Sequence, residues 1–149
     1  MMKVWAYLHP ELNILCCALL PEAVPKGVEA IEFEVETPDD VILDDNGQIR
    51  LKTEVEKLTE EKQRKLIELK NYVAGLLAQT DYVITKIAEA QIQNDTAEVE
   101  ALKQKYATQL QQREAIRTWN EQMKQSIKNA QSLDDLLRLE IKFEDPTNA

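Results

Sequence analysis

The chain has 149 residues and a formal net charge of −9 at pH 7. Its length suits one domain of ordinary size, or a small domain with a stalk. The chain has no run of about 18 apolar residues, so no membrane span is predicted. The short apolar stretch at 14–20 lacks the basic region and the cleavage site of a signal peptide. We therefore expect a protein that folds in a cytosol and has no membrane partner.

The charge is unevenly distributed along the chain. Residues 1–51 carry three basic residues against ten acidic ones, a net charge of −7, and residues 52–149 carry −2. An acidic front repels phosphate backbones, and the chain has no basic stripe with interleaved aromatic residues, so binding to nucleic acid is disfavoured. The one histidine and the two adjacent cysteines, Cys16 and Cys17, cannot build a thiolate–imidazole metal site within one protomer.

Four of the five prolines fall within the first 40 residues, and the next one is Pro146. Because proline interrupts helices, this distribution favours short strands and turns at the front and long helices in the middle. The apolar pattern predicts strands over 3–8, 13–20 and 29–36 and a hairpin over 41–51. The strand at 13–20 is apolar on both faces and is therefore predicted to be central. Asn46-Gly47 predicts a type I′ turn in the hairpin.

Two long helices are predicted after this β region. The first begins near Thr53, capped with Glu56 three residues later, and either runs unbroken to about Gln93 or breaks at Thr80-Asp81. The second begins after Asn94, where Asp95 and Glu98 have the spacing of a capping box, and it runs to about Ala130. A short helix capped by Ser132 follows. Gly75 in the first helix indicates either a tolerated surface glycine or a close approach of another helix.

Both helices carry apolar ladders with alternating spacings of three and four residues, at 66–90 and 99–130. Such spacing is typical of the seam of a coiled coil. Two long amphipathic helices cannot bury all their apolar surface on each other, so we expect a homo-oligomer, a trimer or a dimer, or another protein partner. The predicted interface comprises Leu66, Leu69, Val73, Leu76, Leu77, Val83, Ile84, Ile87, Tyr106, Leu110, Arg113, Ile116, Trp119, Met123 and Ile127.

Arg113 is the charged residue in the second ladder, and it shares a helix face with Ile116 and Trp119. A long arginine stem packs on apolar surface while its head pairs with an acid. If the helices fold back on each other, Asp81 or Glu89 is the expected mate. The alternative is an ordinary exposed arginine.

No set of residues predicts a catalytic site or a cofactor. The acidic cluster at 39–46 does not fit a twelve-residue calcium loop, because Gly47 in its sixth place puts Ile42 at the first ligand position. His9 precedes a proline in a predicted turn and has no nucleophile nearby, which favours a structural role. The three glycines stand alone, so no phosphate-binding loop is predicted.

One set of residues in the helical region carries a family resemblance. The set consists of Thr80-Asp81-Tyr82, Lys86 and Glu89 in the first helix and Tyr106, Leu110, Gln112-Arg113 and Ile116-Arg117 in the second. Their order resembles small tail proteins of tailed phages, the tail-fibre assembly and tail-tip- or baseplate-associated class. The resemblance covers about a quarter of the chain, and helix 1 here is longer than in that class. It implies a fibre or baseplate partner and a location in the virion tail, or in the host cytoplasm during assembly.

Together these features predict an α+β protein, in which a small acidic antiparallel β domain over 1–51 precedes a long two-helix coiled-coil region over 53–130, either a helical hairpin or a stalk, and a short helix with a tail over 131–149. We expect a non-enzymatic structural or assembly protein of a phage tail that binds through apolar helix faces. The alternatives are a transient tail-fibre assembly chaperone and, more remotely, a small-ligand or metal-binding protein.

Overall fold

The computed structural model describes residues 1–146, and the last part of the predicted tail, residues 147–149, lies outside the described residues. These residues form an α+β structure, a small antiparallel β region followed by five α-helices, which confirms the predicted fold class. The chain divides into two compact units, Met1–Lys57 and Leu58–Ala149. None of the helices within the described part is long and apolar enough to span a membrane.

The first unit contains two small antiparallel sheets. The larger sheet has the order β2-β1-β3, and the smaller pairs β4 with β5. The strands are β1 (Met2–Leu8), β2 (Leu15–Ala18), β3 (Ile31–Val35), β4 (Val41–Leu43) and β5 (Ile49–Leu51), with short 3₁₀ turns at Pro21–Ala23 and Pro38–Asp40. The prediction that the second strand is central was wrong, because β1 has a neighbour on both sides and β2 lies at the edge.

The core of the first unit lies between one face of the larger sheet and the hairpin. Val4 and Ala6 of β1 are fully buried with Val35 and Val41, and Leu15, Cys17, Phe33 and Ile49 pack against them. Successive side chains of a strand point to opposite faces, so Val4 and Ala6 share the inner face. Cys17 lies opposite Ala6 and therefore also faces this core, whereas Cys16 faces away.

The turn of the hairpin differs from the predicted type. Gly47 has a positive φ of +77°, but Asn46 does not, so the turn is not type I′. Asp44 explains the difference, because its Oδ1 accepts hydrogen bonds from the backbone N–H groups of Asn46 and Gln48, each at 2.9 Å. A side chain that satisfies the turn backbone in this way stabilises a longer loop.

The helices are α1 (Glu54–Ala78), α2 (Asp81–Ile92), α3 (Thr96–Lys105), α4 (Ala107–Asn129) and α5 (Leu133–Leu137). The capping box at the start of α1 is confirmed, because Thr53 and Glu56 exchange side-chain-to-backbone hydrogen bonds of 3.2 and 3.1 Å. Asp95 and Ser132 also cap their helices as predicted. The break at Thr80-Asp81 is confirmed, whereas the interruption at Tyr106 was not predicted.

The helical unit has two successive cores instead of one continuous seam. In the first, Leu69 and Val73 of α1 pack with Ile116 and Ile127 of α4. In the second, α2 packs on α3. The predicted long coiled-coil stalk is not seen, because the breaks on either side of α2 end the α1–α4 seam. Gly75 is a surface glycine, since a Cβ built on it has no neighbour within 4 Å.

Candidate functional site

Arg113 lies in the middle of α4 and is buried, with 6% of its surface exposed. Its Nη1 donates to three oxygens at the break between α1 and α2. These are the Leu77 carbonyl at 2.8 Å, Thr80 Oγ1 at 2.9 Å and Asp81 Oδ1 at 2.9 Å. The predicted pairing of Arg113 with Asp81 is therefore confirmed, and Glu89 is not the mate.

The contact satisfies polar groups that a helix break exposes. The last carbonyls of a helix lack intrahelical partners, and a positive charge near them is favourable. The Leu77 carbonyl accepts a hydrogen bond from Arg113. It also accepts hydrogen bonds from the Thr80 backbone N–H at 3.1 Å and from the Thr80 hydroxyl at 3.3 Å. Asp81 is the first residue of α2, where a negative charge is favourable. The guanidinium thus compensates the C-terminal end of α1, and Asp81 compensates the N-terminal end of α2.

Arg113 also has an unsatisfied atom. Its Nε is buried and has no hydrogen-bond partner within the described residues. A buried donor without a partner costs about 1–3 kcal/mol. The Nη1 contacts and the packing of the stem must offset this cost for the side chain to remain buried.

A second cluster lies where α3 meets α4. The hydroxyl of buried Tyr106 accepts a hydrogen bond from Lys86 Nζ at 3.2 Å, and the ring meets that of Tyr82 edge to face at 5.7 Å. Lys105 Nζ lies 5.3 Å from the Tyr106 ring centroid. The Lys86 hydrogen bond lowers the pKa of Tyr106, since an ammonium stabilises the phenolate. Because Tyr82 is half exposed, this cluster presents part of an aromatic ring at the surface, and aromatic residues are enriched at protein interfaces.

The structure places most of the predicted interface inside the chain. Leu69, Val73, Ile116 and Ile127 are buried in the first core, and Val83, Ile87 and Tyr106 in the second. Leu66, Leu76, Leu77, Trp119 and Met123 are partly buried against the first core, Leu110 is partly buried against the second, and Ile84 is exposed. The buried residues contact one another, so they offer no surface to a second chain. Contact of the partly exposed ones with another chain stays a prediction.

The sequence reasoning missed the residues that cover the α1–α4 core. Leu136 of α5 is buried in this core. Leu139, Ile141 and Phe143, which lie in the segment that follows α5, pack on the core. Phe143 lies 5.6 Å from the Trp119 ring, and its backbone N–H donates to Tyr72 Oη at 3.1 Å. The available signal was the pair of apolar residues Ile141 and Phe143 on either side of Lys142, and the structure has neither helix nor strand over 139–145.

The other polar groups singled out in the sequence have local structural roles. His9 Nδ1 accepts from the backbone N–H groups of Glu11 and Leu12 at 3.2 and 3.1 Å, and so holds the turn between β1 and β2. Arg50 bridges Asp44 at 3.3 Å and Glu56 at 2.7 Å. Hydrogen bonds from Arg50 and from the Thr53 backbone lower the pKa of Glu56 to about 2. Within the described residues no three His, Cys, Asp or Glu side chains are placed to hold a metal ion.

Comparison of the chain with models of protein families, with curated proteins and with solved structures finds no match.

Proposed function

We propose that this protein is a non-enzymatic tail-associated protein of a tailed phage, a structural or assembly subunit that binds a fibre, a baseplate protein or like subunits. One observation supports the proposal most. The residues that carry the family resemblance belong to two segments about 30 positions apart, yet they meet in the folded chain. Arg113 binds Thr80 and Asp81, and Lys86 contacts Tyr82 and Tyr106. The matched residues of the two segments therefore lie in contact with one another in the folded chain.

The burial of the ladders favours one role within this class. A trimeric stalk needs seam residues that are free to pack on other chains. Here the first core is covered by α5 and by residues 139–143 of the same chain. That arrangement supports the assembly-chaperone alternative, in which the chain folds on its own and releases its client. The partly exposed Ile84 and Tyr82, beside Lys86, are the surface that we assign to partner contact.

The test is a deletion of this gene from the phage that carries it, with electron microscopy and quantitative mass spectrometry of the purified particles. A structural subunit is present in wild-type particles at a fixed copy number. A chaperone is absent from them, but its deletion leaves tails without fibres. Wild-type tails and full infectivity after deletion, with the protein absent from normal particles, refute both roles.

A matched pair of variants links that test to the Arg113 cluster. Arg113→Met removes the contacts at the α1–α2 break, whereas Arg117→Met on the same helix changes a half-exposed arginine that pairs with Glu114. We expect complementation of the deletion to be impaired by the first variant and unimpaired by the second. Equal complementation by both means that the cluster has no part in the function.

A further inference from the structure

The edge strand β2 has one side without a strand partner in the described part of the chain. It pairs only with β1, through Trp5–Ala18 to Leu8–Leu15. The Ile14 carbonyl accepts from His9 N–H at 2.8 Å, so the backbone of Ile14 faces β1. Neighbouring residues alternate in direction along β2, so the backbone polar groups of Leu15 and Cys17 face the open side. Leu19 lies one residue beyond the strand, and its pairing requires β2 to lengthen by one residue. Such a row of unpaired groups is a template for another strand.

The flanks of this strand are apolar and exposed. Leu12, Ile14, Leu19 and Leu20 are 65%, 52%, 61% and 64% exposed in the whole chain. No charged residue occurs from Leu12 to Leu20, although residues 1–51 carry a net charge of −7. Edge strands are normally protected by lysine, proline or inward charges. β2 is protected only by its short length of four residues, because it has no lysine, proline or other charge within that length.

The opposite edge of the same sheet is strand β3, and charged side chains protect it. β3 carries Glu32 and Glu34 on its outer face, and Glu32 forms an ion pair with Lys3 at 3.3 Å. Two β3 edges brought together place acidic side chains near one another, and like charges on paired strands are destabilising. No residue from Leu12 to Leu20 carries a charge that repels a copy of this edge, and the acid that acts electrostatically on Cys17, Asp39, belongs to a neighbouring turn. Of the two edges, β2 is the one that a strongly acidic chain can bring against its own copy.

We propose that β2 pairs antiparallel with β2 of a second copy, which joins two three-stranded sheets into one six-stranded sheet with a two-fold axis. A strand that pairs with itself about such an axis is isologous and needs no second sequence. Centring the axis on Cys17 pairs Leu15 with Leu19 of the other copy and uses every outward-facing residue. The contact is short, of the small class below about 1,200 Å², so the dimer dissociates on dilution. This surface is independent of the helical unit and of the phage proposal.

The first test is sedimentation equilibrium of the full-length chain over a dilution series. The mass is expected to rise with concentration from 17.1 kDa for the single chain toward twice that value. Leu19→Glu puts a charge opposite Leu15 of the other copy and is expected to weaken the dimer at least ten-fold. Ile31→Glu is the matched control, a 48% exposed apolar residue on the β3 edge, and is expected to leave the dimer unchanged within two-fold.

A second measurement needs no charged variant. Opposite residues of a hydrogen-bonded antiparallel pair have Cα atoms about 5.5 Å apart, inside the range for a disulfide. With an added thiol oxidant, the Cys16→Ser chain is expected to form a covalent dimer through Cys17. A dimer linked through Cys17 and lost in Leu19→Glu supports strand pairing. A monomer at every concentration, or a dimer that Leu19→Glu and Ile31→Glu weaken equally, overturns the proposal, including the case in which β2 binds a different protein.

Discussion

The buried Arg113 gives the sharpest stability prediction. Arg113→Ala removes the donor that binds Leu77 O, Thr80 Oγ1 and Asp81 Oδ1. Net hydrogen bonding to a charged group contributes about 1.5–3 kcal/mol. The loss is limited because Leu77 O keeps its hydrogen bonds from Thr80 and because Asp81, whose side chain is 62% exposed, regains water. Lost stem packing adds to the cost, and removal of the unsatisfied Nε reduces it. We expect the variant to lose about 2 kcal/mol of unfolding free energy.

The assay is urea unfolding followed by circular dichroism at 222 nm, which reports mainly on the helices. Arg117→Ala is the control, since its half-exposed ion pair with Glu114 is expected to contribute less than about 0.5 kcal/mol. Arg113→Met keeps most of the stem volume and is expected to lose about 1 kcal/mol less than Arg113→Ala, because the methionine side chain retains the apolar packing of the arginine stem. If Arg113→Ala is no more destabilising than Arg117→Ala, the guanidinium does not hold the α1–α2 break, and the argument from its geometry fails.

Three further predictions concern single groups. Gly75→Ala is expected to stabilise the chain by about 0.5–1 kcal/mol in the same urea assay, since the added methyl group meets open space on a helix; destabilisation contradicts this. The pKa of Glu56 is lowered from 4.5 to about 2, so its contribution is complete above about pH 4.5 and is lost as the pH falls toward 2. Glu56→Gln should therefore flatten the melting temperature against pH in that window, and an unchanged profile argues against the Arg50 contact. Lys86→Met is expected to raise the pKa of Tyr106 in an absorbance titration at 295 nm, because the hydrogen bond that favours the phenolate is lost; no shift would mean that the contact does not form in solution.

Local rules predicted the ends of several elements because each end depends on nearby residues. Thr53 with Glu56, Asp95 and Ser132 each cap a helix through a side chain that reaches a backbone N–H three residues away. Both partners of such a hydrogen bond lie within one helical turn, so the local sequence is enough to predict it. The turn at Asn46-Gly47 was misjudged by the same kind of rule, since Asp44 competed for the same backbone groups.

The position of β2 was predicted wrongly because its apolar pattern has two physical explanations. A strand that is apolar on both faces is either covered on both sides or left open at an edge. The sequence states the composition of the strand but not its neighbours. Strand order depends on the long connection from β2 to β3, which brings β3 to the far side of β1. No periodicity within 13–20 distinguishes these cases.

The same ambiguity explains the predicted stalk. A ladder with spacings of three and four identifies the face of a helix that is covered, but it does not identify what covers it. The number of apolar residues in the ladders indicated that another surface must cover them. Much of that cover comes from the same chain, through Leu136, Ile141 and Phe143, which lie beyond the second ladder. Arg113 was the residue in the ladders that pointed to an intrachain fold. A charge at a seam position is costly unless its acceptors are fixed, and those acceptors, Thr80 and Asp81, lie at the only predicted break in the first helix. When one ladder contains a charged donor and the other helix has acceptors at a predicted break, the two helices are expected to fold back on each other. An extended stalk would leave the donor without these acceptors.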